Sequence, residues 1–130
     1  MRQQDPIITL RGTLSVQVLS SRLSTTKMSG KLDVPLAHEF LNNLDRWVNM
    51  GGSHLLAFHD WELVDDYDTE ARTLLTPWSK LHRPKFDCVH ILVRSRALAW
   101  GISIVNSLTS DVMVAHHSRA SFENARRTVT

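Results

Sequence analysis

Cys88-Val89-His90-Ile91-Leu92-Val93, followed at once by Arg94-Ser95-Arg96, is the stretch on which the fold turns. It is a short unbroken apolar run, not an alternating one, so it suits a strand covered on both faces, as in a parallel sheet. Ser95 then offers a side-chain cap to a helix whose Leu98, Ala99, Ile102, Val105 and Leu108 recur at three- and four-residue steps. Downstream, Val112-Met113-Val114-Ala115 repeats the strand signal, and Ser118 caps a last helix with Phe122 and Ala125 inward. Upstream, Leu55-Leu56-Ala57-Phe58 is a third apolar run. Asp68 or Thr69 caps the helix after it, whose inner face is Ala71, Leu74, Leu75, Trp78 and Leu81. Pro77 lies within that pattern; it lacks an N–H and collides with the preceding turn, so a kink or restart is expected at Thr76-Pro77. Strands are thus expected near 54–59, 88–93 and 112–115, each followed by a helix, with crossovers long enough for right-handed parallel connections.

The N-terminal third has a different texture. Ile7-Ile8-Thr9-Leu10 is β-prone and Arg11-Gly12 can turn. Leu14, Val16 and Val18 alternate with Ser15 and Gln17, the period of a half-buried strand. Ser20-Ser21 marks a turn before a third strand over residues 23–28, and such short neighbouring pieces pair naturally in antiparallel fashion. Between these strands and Leu55 stands a helix. Asp33 is its N-cap, Pro35 sits in its first turn, and Leu36, Phe40, Leu41, Leu44, Trp47 and Val48 share one face. Gly51-Gly52 ends it.

A chain of 130 residues has the size of one domain and can bury a core without disulfides. Its one cysteine, Cys88, excludes an internal disulfide, which fits a reducing compartment. The leading Met1-Arg2-Gln3-Gln4-Asp5-Pro6 lacks the apolar core of a signal peptide, and no apolar run approaches membrane-spanning length. A cytoplasmic protein with no membrane contact is expected. Fifteen basic against thirteen acidic residues leave a formal charge of +2, spread along the chain apart from Arg94/Arg96 and Arg126-Arg127. That distribution argues against nucleic acid as a partner.

The order of elements resembles the STAS family, the fold of bacterial anti-sigma-factor antagonists and sulfate-transporter tails. The likeness is carried by Leu55-Leu56-Ala57-Phe58, the segment leading to Tyr67-Asp68-Thr69, and the helix that follows. It implies an α/β domain over residues 1–130, with N-terminal antiparallel strands joined to three C-terminal strand–helix units. It also implies a non-catalytic regulatory module that binds another protein. In the family a serine at the helix N-terminus is phosphorylated to break partner binding, and Thr69 takes that place here. Glu70 and Ala71 stand where the family has a second serine and a glycine, and Asp65, Asp66, Asp68 and Glu70 would repel a phosphate. Thr69 is therefore read either as a phosphorylation site or as a helix cap.

If the three strands are parallel, their C-terminal ends share one edge, where α/β ligand sites form. On this assignment the edge holds His59-Asp60-Trp61, Arg94-Ser95-Arg96 and His116-His117. His59 and Asp60 with His116 or His117 is the conceivable metal set, but neighbours along a strand diverge and no HxH or HxxxH spacing occurs. His38, His54 and His82 lie away from the edge, so no zinc site is expected. Cys88 reads as core. No Walker loop, GxGxxG, GxSxG or CxxC is present, and no cofactor is expected. Trp47 and Trp78 fall on apolar helix faces and Trp100 on a flank. Trp61 falls in the loop after a strand and is expected to fold back over the sheet edge.

The expected partner-binding surface is the loop over residues 60–70, with Asp60, Trp61, Glu62, Tyr67, Asp68 and Thr69, flanked by Arg94, Arg96 and His116. The alternative is a small-molecule- or metal-binding protein, or an enzyme, using the strand edge. Pairing of two copies is left open.

Overall fold

The computed structural model describes residues 2–3, 6–108 and 112–129; of the leading segment read for a signal peptide, Met1, Gln4 and Asp5 lie outside them. Among the described residues seven strands form one sheet: β1 (Arg2–Gln3), β2 (Ile7–Ile8), β3 (Gly12–Val18), β4 (Leu23–Leu32), β5 (Leu55–Tyr67), β6 (Phe86–Val93) and β7 (Met113–His116). The helices are α1 (Val34–Val48), α2 (Thr69–His82), α3 (Arg96–Leu108) and α4 (Arg119–Arg127), with a short 3₁₀ turn over Arg83–Lys85. The sheet runs β1-β3-β4-β5-β6-β7, with β2 also on β3. β3 is antiparallel to β1, β2 and β4, whereas β4–β5, β5–β6 and β6–β7 are parallel. The three expected strand–helix units are present, and α1 adds a further crossover because β4 is already parallel to β5.

The central part of the sheet is covered on both faces, as the unbroken apolar runs require. On one face α1, α2 and α3 enclose the main core, which includes Leu14, Met28, Leu36, Trp47, Leu55, Ala57, Trp61 and Ile91. On the other, α4 closes a smaller cluster of Phe58, Leu92 and Phe122, with Leu23, Leu56 and Ala125 against it. The caps form as the sequence suggests in α1, α3 and α4. Asp33 Oδ1 accepts from Leu36 N–H at 3.1 Å, Ser95 Oγ from Leu98 N–H at 3.2 Å, and Ser118 Oγ from Ser121 N–H at 3.2 Å.

Several expectations are corrected. Residues 60–67 are not a loop: β5 continues through them to Tyr67 because β4 extends to Leu32 and pairs along the whole length. A bulge hides this from a period-two reading. Asp60 pairs with Lys27 but Leu63 with Ser29, so β5 carries one extra residue there, and Trp61 and Val64, three apart, both point inward. Beyond Trp61↔Val93, β5 has lost β6 and is paired on one side only, so its Asp65 and Asp66 are exposed. Trp61 is therefore a core residue, 4% exposed, and not a loop residue folded over the edge. Pro77 neither breaks nor restarts α2, which runs from Thr69 to His82; the ring stands on the exposed side while Leu74, Leu75 and Trp78 anchor the helix around it. Leu81, 73% exposed, leaves the expected inner face because the next residue, His82, takes the inward position beside Trp78, and Leu108, the last residue of α3, is 51% exposed. Thr69 is the first helical residue and not the cap. Asp68 holds the cap position, but its carboxylate makes no cap bond and pairs with Lys31 Nζ at 3.0 Å.

Candidate functional site

The sheet divides the residues expected to form one surface. Alternation along β5 sends His59 and Trp61 to the α1–α3 face, and Asp60 and Glu62 to the α4 face. There Arg119 Nη2 donates to Asp60 Oδ2 and Glu62 Oε1, each at 2.9 Å, and these hydrogen bonds, first to Glu62 and then to Asp60, raise the arginine's pKa. Asp60 Oδ1 also accepts from Glu62 N–H at 3.3 Å, a local turn-like bond within the bulge. His116 is buried on the α4 face, its Nε2 2.9 Å from His90 Nδ1 and its Nδ1 2.6 Å from Ser121 Oγ. Burial lowers the pKa of both histidines, with each depressed further by its neighbour, His90 by His116 and His116 by His117. His59 and His116 therefore lie on opposite sides of the sheet. Among the described residues, no three His, Cys, Asp or Glu side chains are grouped to hold a metal ion.

The remaining members are spread along the edge. Tyr67 lies six residues beyond Trp61, the last β5 residue paired with β6, so Thr69 follows the far end of β5 whereas Arg94 follows the end of β6. Thr69, Arg94 and Arg96 are exposed. Cys88 is half-buried, and burial pushes its thiol pKa up, away from thiolate chemistry.

What the structure does bring together is an apolar cavity between the sheet and the three helices of the larger layer. About 80 Å³ of it admits a water-sized sphere, and it is open to solvent at its mouth. Phe40, Leu41 and Leu44 of α1, Leu75 and Trp78 of α2, and Leu98, Ile102 and Val105 of α3 form its walls, over a floor of His59, Trp61, Val89 and Ile91. Its polar lining is sparse: Tyr67, Arg72, Ser79 and Arg83 join His59 and Trp61, and among the described residues neither Asp nor Glu contributes. Tyr67 and Arg72 meet at 3.4 Å, Arg72 Nη1 donating to Tyr67 Oη. Gly101 makes room for them, since a Cβ there would stand 2.7 Å from the Tyr67 ring and hydroxyl. Arg72 also lies 6.0 Å from the ring of Trp100, which is 64% exposed.

Two residues of this lining each hold a buried polar atom without a hydrogen-bond partner, Trp61 Nε1 and Arg83 Nε. An unsatisfied buried donor costs about 1–3 kcal/mol, so such groups call for a reason. His59, by contrast, is satisfied. Its Nδ1 is 2.7 Å from Thr26 Oγ1, its ring meets Phe40 edge-on, and complete burial drives its pKa down to about 3. It is a neutral floor residue at physiological pH. Reasoning from sequence named Trp61 and Tyr67 for a partner-binding surface and not for this cavity, and it missed Arg72, Trp78 and Arg83. Trp78 reads as an ordinary inner-face residue, and nothing in the spacing of the arginines shows that α2 lies over a cavity.

No family model matches this chain, and no curated protein matches it. Among solved structures, the chain is similar to an uncharacterised protein of the DUF3478 family from Shewanella loihica PV-4, described as having a SpoIIAA-like fold. The two are 13% identical, with a TM-score of 0.63 over 96% of this chain and 98% of that one. The chain thus has a SpoIIAA-like, that is STAS-like, α/β fold. No helix of the described residues is long and apolar enough to cross a membrane.

Proposed function

We propose that this chain is a binding module that takes up one mostly apolar small molecule between its sheet and the α1–α3 layer. The observation that carries this reading is the cavity itself, walled by apolar side chains of α1, α2 and α3 with the Trp61 side chain in its lining. Ligand sites commonly have this make-up, a concave apolar wall with a few polar groups that fix orientation. A neutral His59 floor adds no charge that an apolar molecule would have to desolvate. The test is titration with Nile red, a neutral apolar dye. Saturable one-to-one binding, lost in Ile102→Phe and Leu75→Phe variants that remain folded by circular dichroism, is expected. Binding that survives both cavity-filling changes would place the dye elsewhere and refute the reading.

A second reading is recognition of a protein partner, as the STAS-like fold suggests. It is favoured by Trp100, largely exposed on α3, on the helix that Arg94 and Arg96 introduce. Tryptophan and arginine are the side chains on which binding energy concentrates at protein interfaces. Exposed Thr69, at the start of α2, belongs to this reading as a modification site. Trp100→Ala is expected to abolish capture of such a partner while leaving the melting temperature unchanged.

A further inference from the structure

We propose that Ser121 is a nucleophile, with His116 as its general base and His90 as the positioning residue behind it, and that it accepts the acyl group of a small activated ester. The site lies across the sheet from the cavity and is independent of it. Three side chains from three elements form one line of hydrogen bonds. Ser121 Oγ of α4 is 2.6 Å from His116 Nδ1 of β7, and His116 Nε2 is 2.9 Å from His90 Nδ1 of β6. A hydroxyl within reach of a base, with the base held by a third group, is the arrangement that makes a serine nucleophilic. Here an imidazole fills the third position, where a carboxylate commonly stands.

Packing fixes both rings. His90 stacks on Phe58 with centroids 4.6 Å apart and planes 9° from parallel, and His116 meets Phe122 edge-on at 5.8 Å. Both imidazoles, depressed chiefly by burial, are neutral at about pH 7.5. When His116 carries its hydrogen on Nε2 and donates it to His90, its Nδ1 lone pair faces the Ser121 hydroxyl. The base is covered while the nucleophile is exposed. Val114 pairs with His90 and stands two residues before His116, hence on the same side of the sheet, and at 42% exposed it offers an apolar surface for a short acyl group. Ser121 also lies in the first turn of α4, whose positive end favours the oxyanion of the transition state. In the acylation step Oγ bonds the ester carbonyl carbon and its proton passes to His116 Nδ1. The bond from that carbon to the alcohol oxygen then breaks, and the leaving oxygen takes the proton. Water repeats the sequence on the acyl-serine and releases the acid.

The full chain with 4-nitrophenyl acetate tests this, nitrophenolate release being followed by absorbance and the acetyl group mapped by mass spectrometry after an acid quench. Acetyl on Ser121 is expected, with release falling at least about tenfold in Ser121→Ala and in His116→Gln. His90→Leu should lose as much, whereas His90→Gln, whose amide oxygen can still accept from His116 Nε2, should recover most of that loss. A merely structural His90 would give the reverse order, since leucine suits the apolar surroundings better. His117→Ala, which removes the exposed neighbouring imidazole, should leave release unchanged. Circular dichroism checks that each variant is folded, and Ser121→Ala, at an exposed position, decides the matter even if a histidine variant unfolds. No release above the buffer rate, release unchanged in Ser121→Ala, or acetyl found only on His117 or lysines would each overturn the proposal.

Discussion

Acid should destabilise this protein through His59 in a way that one double variant can isolate. His59 is buried in the floor of the cavity, and desolvation lowers its pKa from the usual 6.5 to about 3. The unfolded chain takes up that proton near the ordinary value, and the folded chain refuses it until about pH 3. Below 6.5 the unfolded state therefore binds more protons, so stability falls as pH drops across the window from 6.5 to about 3 and is flat on either side. At about pH 4.5, two units into that window, the loss from this one group is about 2.7 kcal/mol, at 1.36 kcal/mol per unit. His82, His90 and His116 are also depressed, chiefly by burial, and add losses of the same sign. To separate His59 from these, we pair His59→Phe with Thr26→Val, because Thr26 Oγ1 is its hydrogen-bond partner and would otherwise be orphaned. Phenylalanine can pack against Phe40 and Trp61 as the imidazole does. Urea unfolding at about pH 7.5 and about pH 4.5 gives the difference. The double variant should lose about 2–3 kcal/mol less than the wild type over that interval. Equal losses in both proteins would show that His59 titrates normally, and the buried, neutral floor of the cavity would have to be abandoned.

Other perturbations separate groups that look alike in sequence. Asp33→Ala removes a cap whose side chain bonds Leu36 N–H and should cost about 1 kcal/mol, whereas Thr69→Ala, at an exposed first helical position, should shift stability by no more than about 0.5 kcal/mol. Thermal unfolding compares them directly, and a Thr69→Ala loss equal to that of Asp33→Ala would restore Thr69 as a cap. Phe122→Ala empties the cluster that α4 shares with Phe58 and Leu92 and should cost about 3–5 kcal/mol in chemical denaturation. A loss under about 1 kcal/mol would mean that α4 is not docked as described.

The legible parts of the fold are those in which local chemistry and packing agree. The 88–93 run, the helical stripes and the Asp33, Ser95 and Ser118 caps are each decided within a few residues, and each forms. Where the reading went astray, a distant partner decided the outcome. Glu62, Asp65 and Asp66 look like a loop because half-paired strand beyond the end of β6 can carry charge. Their extended conformation is imposed by β4, more than thirty residues earlier in the chain. The bulge near Trp61 compounds this by breaking the two-residue period. Pro77 would end an isolated helix, but α2 is held by its packed face on both sides of the proline. Asp68 looks like a cap, but Lys31, remote in sequence, claims its carboxylate. The candidate surface suffered the same fault on a larger scale. Adjacent residues such as His59 and Asp60 were expected to diverge, but sequence could not show that the sheet would then set Asp60, Glu62 and His116 against α4 and leave Trp61 facing the cavity.

The central claim, a ligand cavity between the sheet and α1–α3, is tested most directly by methyl NMR of the protein labelled at Ile, Leu and Val while Nile red is added. The account predicts saturable shifts at Leu75, Leu98, Ile102 and Val105, which line the cavity, with little change at Leu92 on the α4 face or at exposed Leu10. Shifts confined to Leu10, Leu63 and other exposed positions, with the cavity methyls unmoved at saturation, would contradict it.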